Sequence, residues 1–442
     1  MPVVIDNALL TVVDEEQATT APLTVVDGLV AANIPAAASD ADVSDVNVVD
    51  ATGCVVTPGL INSHHHLLQS AFRALPGSRF RPMSQWLKVM GAAYSQRAVD
   101  PELAYAAAAV GLAESTLCGV TTVADHHLTW PAGIDPVELA GASIASSTEI
   151  GTRLVFVRGT ARCDPHAAAE SIHAIHAAYF ADATHGVNPD GMLQLAVGPS
   201  GVHADPAETF RELALVAAEL GLRRRTQANE QVDVEIAESR YGRRPLELLD
   251  EWGWLAPDVT IAHLCEVTEG EIELLSRSGV SATHAPGCDV PMGWGVAPVA
   301  QLREAGIAVG LGTSGGGSND GGHLLADARL ALQVSGLIGA PVSAHALIGC
   351  ATAGSAAGLD RPELGHLRPG AAADLCIWDC ADVADAGVAD LVDGLLWASP
   401  GRRPRDVMIG GRWVVRDYHL THHDSRDIAA RLTALLRQRD GA

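Results

Sequence analysis

No apolar run in this 442-residue chain approaches the roughly 18 residues that a membrane-spanning helix needs, although 48% of the residues are hydrophobic. The opening segment, MPVVIDNALLTVVDEEQ, lacks a basic region and meets acids early, unlike a secretory signal, so a cytoplasmic protein is expected. There are eight cysteines but no CxxC pair and no framework spacing, which favours reduced thiols over disulfides. Positive charge is scarce. With 29 basic against 53 acidic residues the formal charge is -24, which repels phosphate backbones and anionic lipid and makes nucleic acid and membranes poor partners. Low-complexity tracts and long linkers are absent too. The glycine-rich stretch GLGTSGGGSND (310–320) lacks the lysine and spacing of a P-loop and the context of a dinucleotide fingerprint.

What is present alternates. Residues 1–57 carry short apolar stretches broken by turn-like polar ones, a β pattern that returns after residue 365 in AADLCIWD and VMIGGRWVVRD. Between them, apolar runs such as VTTVAD, RLVFVRG, LQLAVGP, VTIAHLC and IAVGLGT alternate with helical stretches such as PAETFRELALVAAELG. That alternation predicts βα units closing into a parallel (β/α)8 TIM-like barrel over 58–364. Residues 1–57 and 365–442 are then expected to form one composite, β-sandwich-like domain beside it.

The densest chemical signal is TPGLINSHHHLLQS (57–70). Side chains two apart on a strand share a face, so His64 and His66 can offer two imidazoles together while His65 points away. A polar strand end whose histidines bond locally is the alternative. The segment resembles the PGLxxxHxH signature of the amidohydrolase superfamily, and GHLRPGAAADLCIWD resembles that superfamily's closing segment. GVTTVADHHLTWPAG, ESRYGRRPLELLDEWGWLAPDVTIAHLCEV and GSNDGGHLLADARLALQ are similar to the branch acting on nitrogen heterocycles, which includes 8-oxoguanine deaminases and triazine hydrolases.

The resemblance implies a barrel with its site at the C-terminal ends of the strands, and a metal held by HxH, a fifth-strand histidine and an eighth-strand aspartate. Such a metal activates water, while a nearby glutamate moves protons on the heterocycle. His64 and His66 match the first pair. His263 in IAHLCE matches the histidine beside the metal water and substrate, and Glu230 matches the glutamate. The fifth-strand HxHxxE, however, reads Arg225, Thr226, Gln227, Ala228, Asn229, Glu230, and Ser314 stands in place of the aspartate. Both replacements are neutral and bind zinc poorly beside imidazole or carboxylate. Where relatives carry a segment like HCPSSN after the sixth strand, this chain has THAPGCDVPMGWG: His284 stays, and Cys288 and Asp289 are new.

Three readings remain open on the sequence. In the first, a metallohydrolase has rebuilt its site, with zinc or another divalent ion on His64, His66 and His263, the shell completed by Asp289, Cys288 or Gln227, and Glu230, His263 and Ser314 at the catalytic positions. In the second, a metal-free enzyme uses the retained polar groups for acid-base chemistry such as isomerisation, elimination or cyclisation, or Cys288 as a nucleophile near His284. The third is an inactive binding paralogue. Weaker candidates for substrate contact are Gln69 in a polar helix start, Trp86 as a stacking cap or core residue, and His127 at a strand end on the active face. Arg225 offers a fixed positive charge two residues from Gln227. The expected activity is deamination of a small, planar nitrogen heterocycle by a homo-oligomeric hydrolase with an altered metal site.

Overall fold

The computed structural model describes residues 2–32 and 46–441, so part of the N-terminal β segment lies outside the described residues. Eight parallel strands form the barrel: β1 (Leu60–His66), β2 (Val120–His127), β3 (Arg153–Thr160), β4 (Leu193–Pro199), β5 (Arg223–Ala228), β6 (Val259–His263), β7 (Ser281–His284) and β8 (Val309–Leu311, resuming at Ser314–Gly315). Closure is direct, with Leu311 opposite Asn62 and Ser314 opposite His65. Helices between the strands cover the outside, as a parallel sheet buried on both faces demands.

Local chemistry sets these elements. Three barrel helices begin at an Asp-Pro pair: Asp100, Asp135 and Asp164 accept from the backbone N–H of Leu103, Val137 and Ala167 at 2.9 Å, and the following proline starts each helix. Each cap satisfies an orphan donor, and proline fits the first helical position because it has no N–H to leave unpaired. The strands are apolar and buried along their length, and Phe156, Phe180, Phe210 and Trp254 fill the space between barrel and helices.

The two chain ends share one sheet. Its order runs His419–Leu420, Arg412–Arg416, Asp406–Ile409, Leu375–Asp379, Cys54–Pro58, Leu10–Val12, Ala18–Thr19, with Leu375–Asp379 antiparallel to Cys54–Pro58 at the join. Four further strands, Leu29–Ala31, Leu23–Val26, Val3–Asp6 and Asn47–Asp50, make a second small sheet. The final helix, Ser425–Asp440, packs on the barrel helix Pro101–Leu117, where Arg439 meets Asp100 at 2.8 Å.

Barrel and flanking sheet are joined by a buried ion pair. Arg153, at the start of β3, holds Asp374 with two bonds of 2.8 and 2.9 Å, and Asp374 also accepts from the Gly410 N–H at 2.7 Å. Removing one partner of such a pair strands the other charge. Asp374→Ala is therefore expected to lower unfolding free energy by about 3–5 kcal/mol in a urea titration. An unchanged midpoint would show that the pair does not couple the two units.

Candidate active site

The inward faces of the barrel strands converge at their C-terminal ends. His64 and His66 lie on one side of β1, with ring centres 4.9 Å apart and edge to face. His65 points away, its Nδ1 2.9 Å from the Thr313 hydroxyl. The glycines of the 310–320 stretch answer to this strand: a Cβ on Gly312 would sit 2.7 Å from the His64 carbonyl oxygen, and one on Gly315 would sit 2.2 Å from Gln69 Oε1. The loop has to be bare because it lies flat against β1 and Gln69.

Hydrogen bonds orient the imidazoles. His66 donates from Nδ1 to the His126 carbonyl at 2.7 Å, which leaves Nε2 as the basic nitrogen, while His126 donates from Nε2 to the Gly198 carbonyl at 2.9 Å. The Nε2 of His64 is buried with no hydrogen-bond partner. Burial holds all three rings neutral by penalising the cation, taking His66 down to about 4, His126 to about 3 and His64 well below its usual range.

His263 is the opposite case. Its Nδ1 lies 2.6 Å from Asp289 Oδ1 and its Nε2 lies 3.0 Å from Gln227 Oε1, with Glu230 Oε1 at 3.3 Å. Both ring nitrogens lie within hydrogen-bond distance of side-chain oxygens, an arrangement that favours the protonated ring. Burial works against that charge, but the Asp289 and Glu230 carboxylates outweigh it and raise His263 to about 9. Burial likewise opposes the Asp289 anion, and the His263 charge overcomes it and lowers Asp289 to about 2. Neither carboxyl oxygen of Glu230 has an aligned hydrogen bond, and burial raises its pKa.

A cavity of about 770 Å³ opens above this cluster. Of the residues expected from sequence, His66, Gln69, Trp86, His127, Gln227, His263, Cys288 and Ser314 line it. Gln69 accepts from the Gly317 N–H and Trp86 donates to the Gly317 carbonyl, both at 3.0 Å, so both brace the β8 loop as well as facing the cavity. His127 donates from Nε2 to the Thr129 carbonyl at 3.0 Å. His64, Glu230 and Asp289 are not in the wall; they surround the buried sides of His263.

Three expectations need correction. Arg225 does not reach the cavity: its guanidinium donates to the carbonyls of Ser63 and Gly358 inside the barrel. Inward residues of a barrel strand occupy successive layers, and Arg225 lies one layer below Gln227. His284 closes the seventh strand rather than the sixth, and it too is absent from the wall, buried with its Nδ1 3.4 Å from Asp289 Oδ2. Cys288 does face the cavity, but burial and the adjacent Asp289 push its thiol far above the usual range, so it is no ready nucleophile.

Sequence reasoning missed His203, Asp125 and Trp294. His203 lies in the loop after β4, lines the cavity, and pairs through Nδ1 with Asp233 at 3.2 Å. Asp233 is pinned by the N–H groups of His203 at 3.2 Å and Asn229 at 3.0 Å. Its position on a βα loop at the C-terminal face was the available signal. Asp125 has one oxygen on the Leu67 N–H at 2.9 Å and the other bare, and burial raises it to about 7. Trp294 stands edge-on to His263, ring centres 5.4 Å apart. Four residues at the strand ends, Asn229, His263, Leu264 and Ser314, have φ between 55° and 76°. Non-glycine residues in that region cost free energy and cluster where a site dictates the backbone.

A barrel of this connectivity, with an HxH strand and a histidine–carboxylate cluster at its C-terminal face, defines a hydrolase-type site. Residues 55–414 match the Amidohydrolase family, and the chain belongs to it. The chain is 32% identical to an 8-oxoguanine deaminase of Pseudomonas aeruginosa, over 83% of this chain and 84% of that protein. It is 33% identical to a 5-methylthioadenosine/S-adenosylhomocysteine deaminase of Halobacterium salinarum, over 89% of each. Among solved structures, the atrazine chlorohydrolase of Arthrobacter aurescens complexed with zinc superposes with a TM-score of 0.89 at 30% identity, covering 98% of this chain and all of that one.

The donors that the resemblance assigns to a metal do not form a four-donor shell here. His64 and His66 are in place, but Gln227 Oε1 accepts from His263, and Ser314 offers only a neutral hydroxyl. Among the described residues, the candidate ligand atoms of His64, His66 and His263 do not gather within 4.8 Å as a set.

The His263–Asp289 pair gives stability a pH dependence. The His263 share is complete below its unfolded value of about 6.5 and is lost as pH rises through about 9. The Asp289 share is complete above about 4 and is lost as pH falls through about 2. The melting temperature is expected to drop between about pH 6.5 and 9 in the native chain and to drop less in Asp289→Asn. Parallel curves for the two would remove the imidazolium assignment.

Proposed function

We propose that this protein is a hydrolase that removes an exocyclic amino group from a small, planar nitrogen heterocycle. The observation that carries the reading is His263 in the wall of a cavity also lined by Trp86, Trp130 and Trp294, with the buried Glu230 carboxyl directly behind it at 3.3 Å. Membership of the family and the named deaminase relatives support the same chemistry. Aromatic walls suit a flat ring, and the cavity is of a size that takes one small ligand.

The reaction needs one water. Its oxygen bonds to the ring carbon that bears the amino group, the C–N bond to that group breaks, and ammonia leaves, so the ring keeps a carbonyl and gains one proton on nitrogen. Burial raises the Glu230 carboxyl and so favours its acid form; it supplies a proton to the ring nitrogen and takes one back from the attacking oxygen, while the other proton of the water passes to the departing amino group. His263, in the cavity wall, lends its positive charge to the oxygen on which negative charge develops. Gln69, His127 and His203 stand round the cavity as donors and acceptors for the ring edge. The zinc-complexed relative supports a divalent metal in this fold; His64 and His66 are the residues that would hold such an ion, which would activate the attacking water.

Ammonia release from a panel of aminopurines, aminopterins and aminotriazines tests the reading. A turned-over compound should show kcat lowered about 10²- to 10⁴-fold by Glu230→Gln with KM little changed. Failure of every compound to release ammonia would overturn it.

A further inference from the structure

We propose that the heterocycle carries a carboxylate substituent, and that Arg162 and Ser200, with His203 beside them, form the subsite that holds it. That the ring is a substrate rests on the reading above; the subsite is a property of the cavity wall and is tested by binding.

The loops after β3 and β4 supply one side of the cavity through Arg162, Ser200 and His203. Arg162 is the one arginine or lysine in the wall. Although acids outnumber bases 53 to 29 in this chain, its guanidinium has no carboxylate partner among the described residues. The cation is left for a ligand.

The backbone is bent to put it there. Arg162 has a φ of 61°, a left-handed conformation that costs a non-glycine residue free energy, and its N–H is held by Asp205 Oδ1 at 2.9 Å. Asp205, fully buried, also accepts from the Thr160 hydroxyl at 3.0 Å and from the Ser200 N–H at 3.3 Å. One carboxylate therefore ties the two loops together, with its oxygens spent on backbone and hydroxyl donors rather than on the guanidinium.

Ser200 and His203 add the neighbouring polar atoms. Ser200 is 3% exposed and lines the cavity, and its hydroxyl has no hydrogen-bond partner, a costly state for a buried polar group unless a ligand meets it. His203 donates from Nδ1 to Asp233 at 3.2 Å, which leaves Nε2 for the cavity. Gly201 is bare where this ring lies against it: a Cβ there would sit 2.9 Å from Nδ1. Asp233, like Asp205, is claimed by backbone N–H groups, those of His203 and Asn229.

Charge and shape select the ligand. A guanidinium meets a carboxylate in two parallel N–H···O bonds, and one fixed cation balances one negative charge. A phosphate monoester brings about -1.5 to -2, and the wall already holds the carboxyls of Asp100 and Asp125, the first of them paired with Arg439 at 2.8 Å. The second charge would find no partner. A cavity of about 770 Å³ also has room for a substituent beyond a bare ring.

The test is a set of matched rings, pterin against pterin-6-carboxylate and 2-aminopyrimidine against its 4- and 5-carboxylates, titrated into the native chain by isothermal calorimetry. At least one carboxylated ring should bind about 10-fold or more tighter than its neutral partner. Arg162→Ala should weaken that ring about 10-fold and its neutral partner much less, and Arg162→Lys should recover part of the difference. Arg162 is exposed, so an unchanged melting temperature is expected for both variants. Ser200→Ala should reduce the same preference by a smaller factor. Equal affinity within every pair, a preference that survives Arg162→Ala, or binding of no ring at all would overturn the subsite. Carboxylate preference without ammonia release would remove the deamination reading alone, and ammonia release with no carboxylate preference would remove the subsite alone.

Discussion

A buried charge needs a partner, and the site is organised around one such pair, His263 with Asp289. Asp289 is fully buried and His263 is 1% exposed, so either charge alone would be expelled or neutralised. Together they hold each other ionised, and their neighbours follow. Gln227 turns its oxygen to the second ring nitrogen, Glu230 lies close enough to feel the positive charge, and the surrounding His64, His66 and His126 stay neutral because burial penalises their charged forms. The neutral acceptors and the fixed donor are therefore consequences of one interaction rather than independent features.

The scaffold allows this because it separates stability from chemistry. The Asp-Pro caps, the apolar strands and the Arg153–Asp374 join all lie away from the C-terminal mouth, so residues there are free to adopt unfavourable backbone. His263 and Leu264 in left-handed conformations turn the end of β6 sharply, and Ser314 does the same at β8. Those turns aim His263 at Asp289 and bring the glycine loop flat against β1. A site on regular strand ends could not place an imidazole between a carboxylate from one loop and an amide from another.

Much of this was legible from residues alone. Alternation of apolar runs and helical stretches gave the barrel, and two-residue spacing gave the shared face of His64 and His66, since both depend on local periodicity. Gln227 and Ser314 stood out as neutral residues at positions the resemblance assigns to ligands. Depth inside the barrel was not legible: Arg225 shares the inward parity of Gln227, and only the register of β5 against its neighbours puts its guanidinium among backbone carbonyls below the cavity. His203 escaped notice because a loop histidine acquires meaning only from Asp233, thirty residues away, on a different element. Asp289 was noticed as a new carboxylate, but pairing across 26 residues is a tertiary fact.

The two ligand replacements make sense together once that pairing is known. A histidine at 227 would present a ring nitrogen rather than an amide oxygen to His263, and could accept from it only in the tautomer whose lone pair points that way. An aspartate at 314 would add another carboxylate to a barrel end whose buried carboxyls already include Asp289, Glu230, Asp125 and Asp327, the last two raised by burial to about 7 and about 8. With a metal present, that extra charge would be compensated; with a single imidazolium present, it would compete with Asp289 for the one cation available. A neutral acceptor at 227 and a small neutral residue at 314 are the choices that leave the His263–Asp289 pair undisturbed. The substitutions are thus the counterpart of the new carboxylate on the Pro286–Met292 helix, and the same electrostatic constraint accounts for all three.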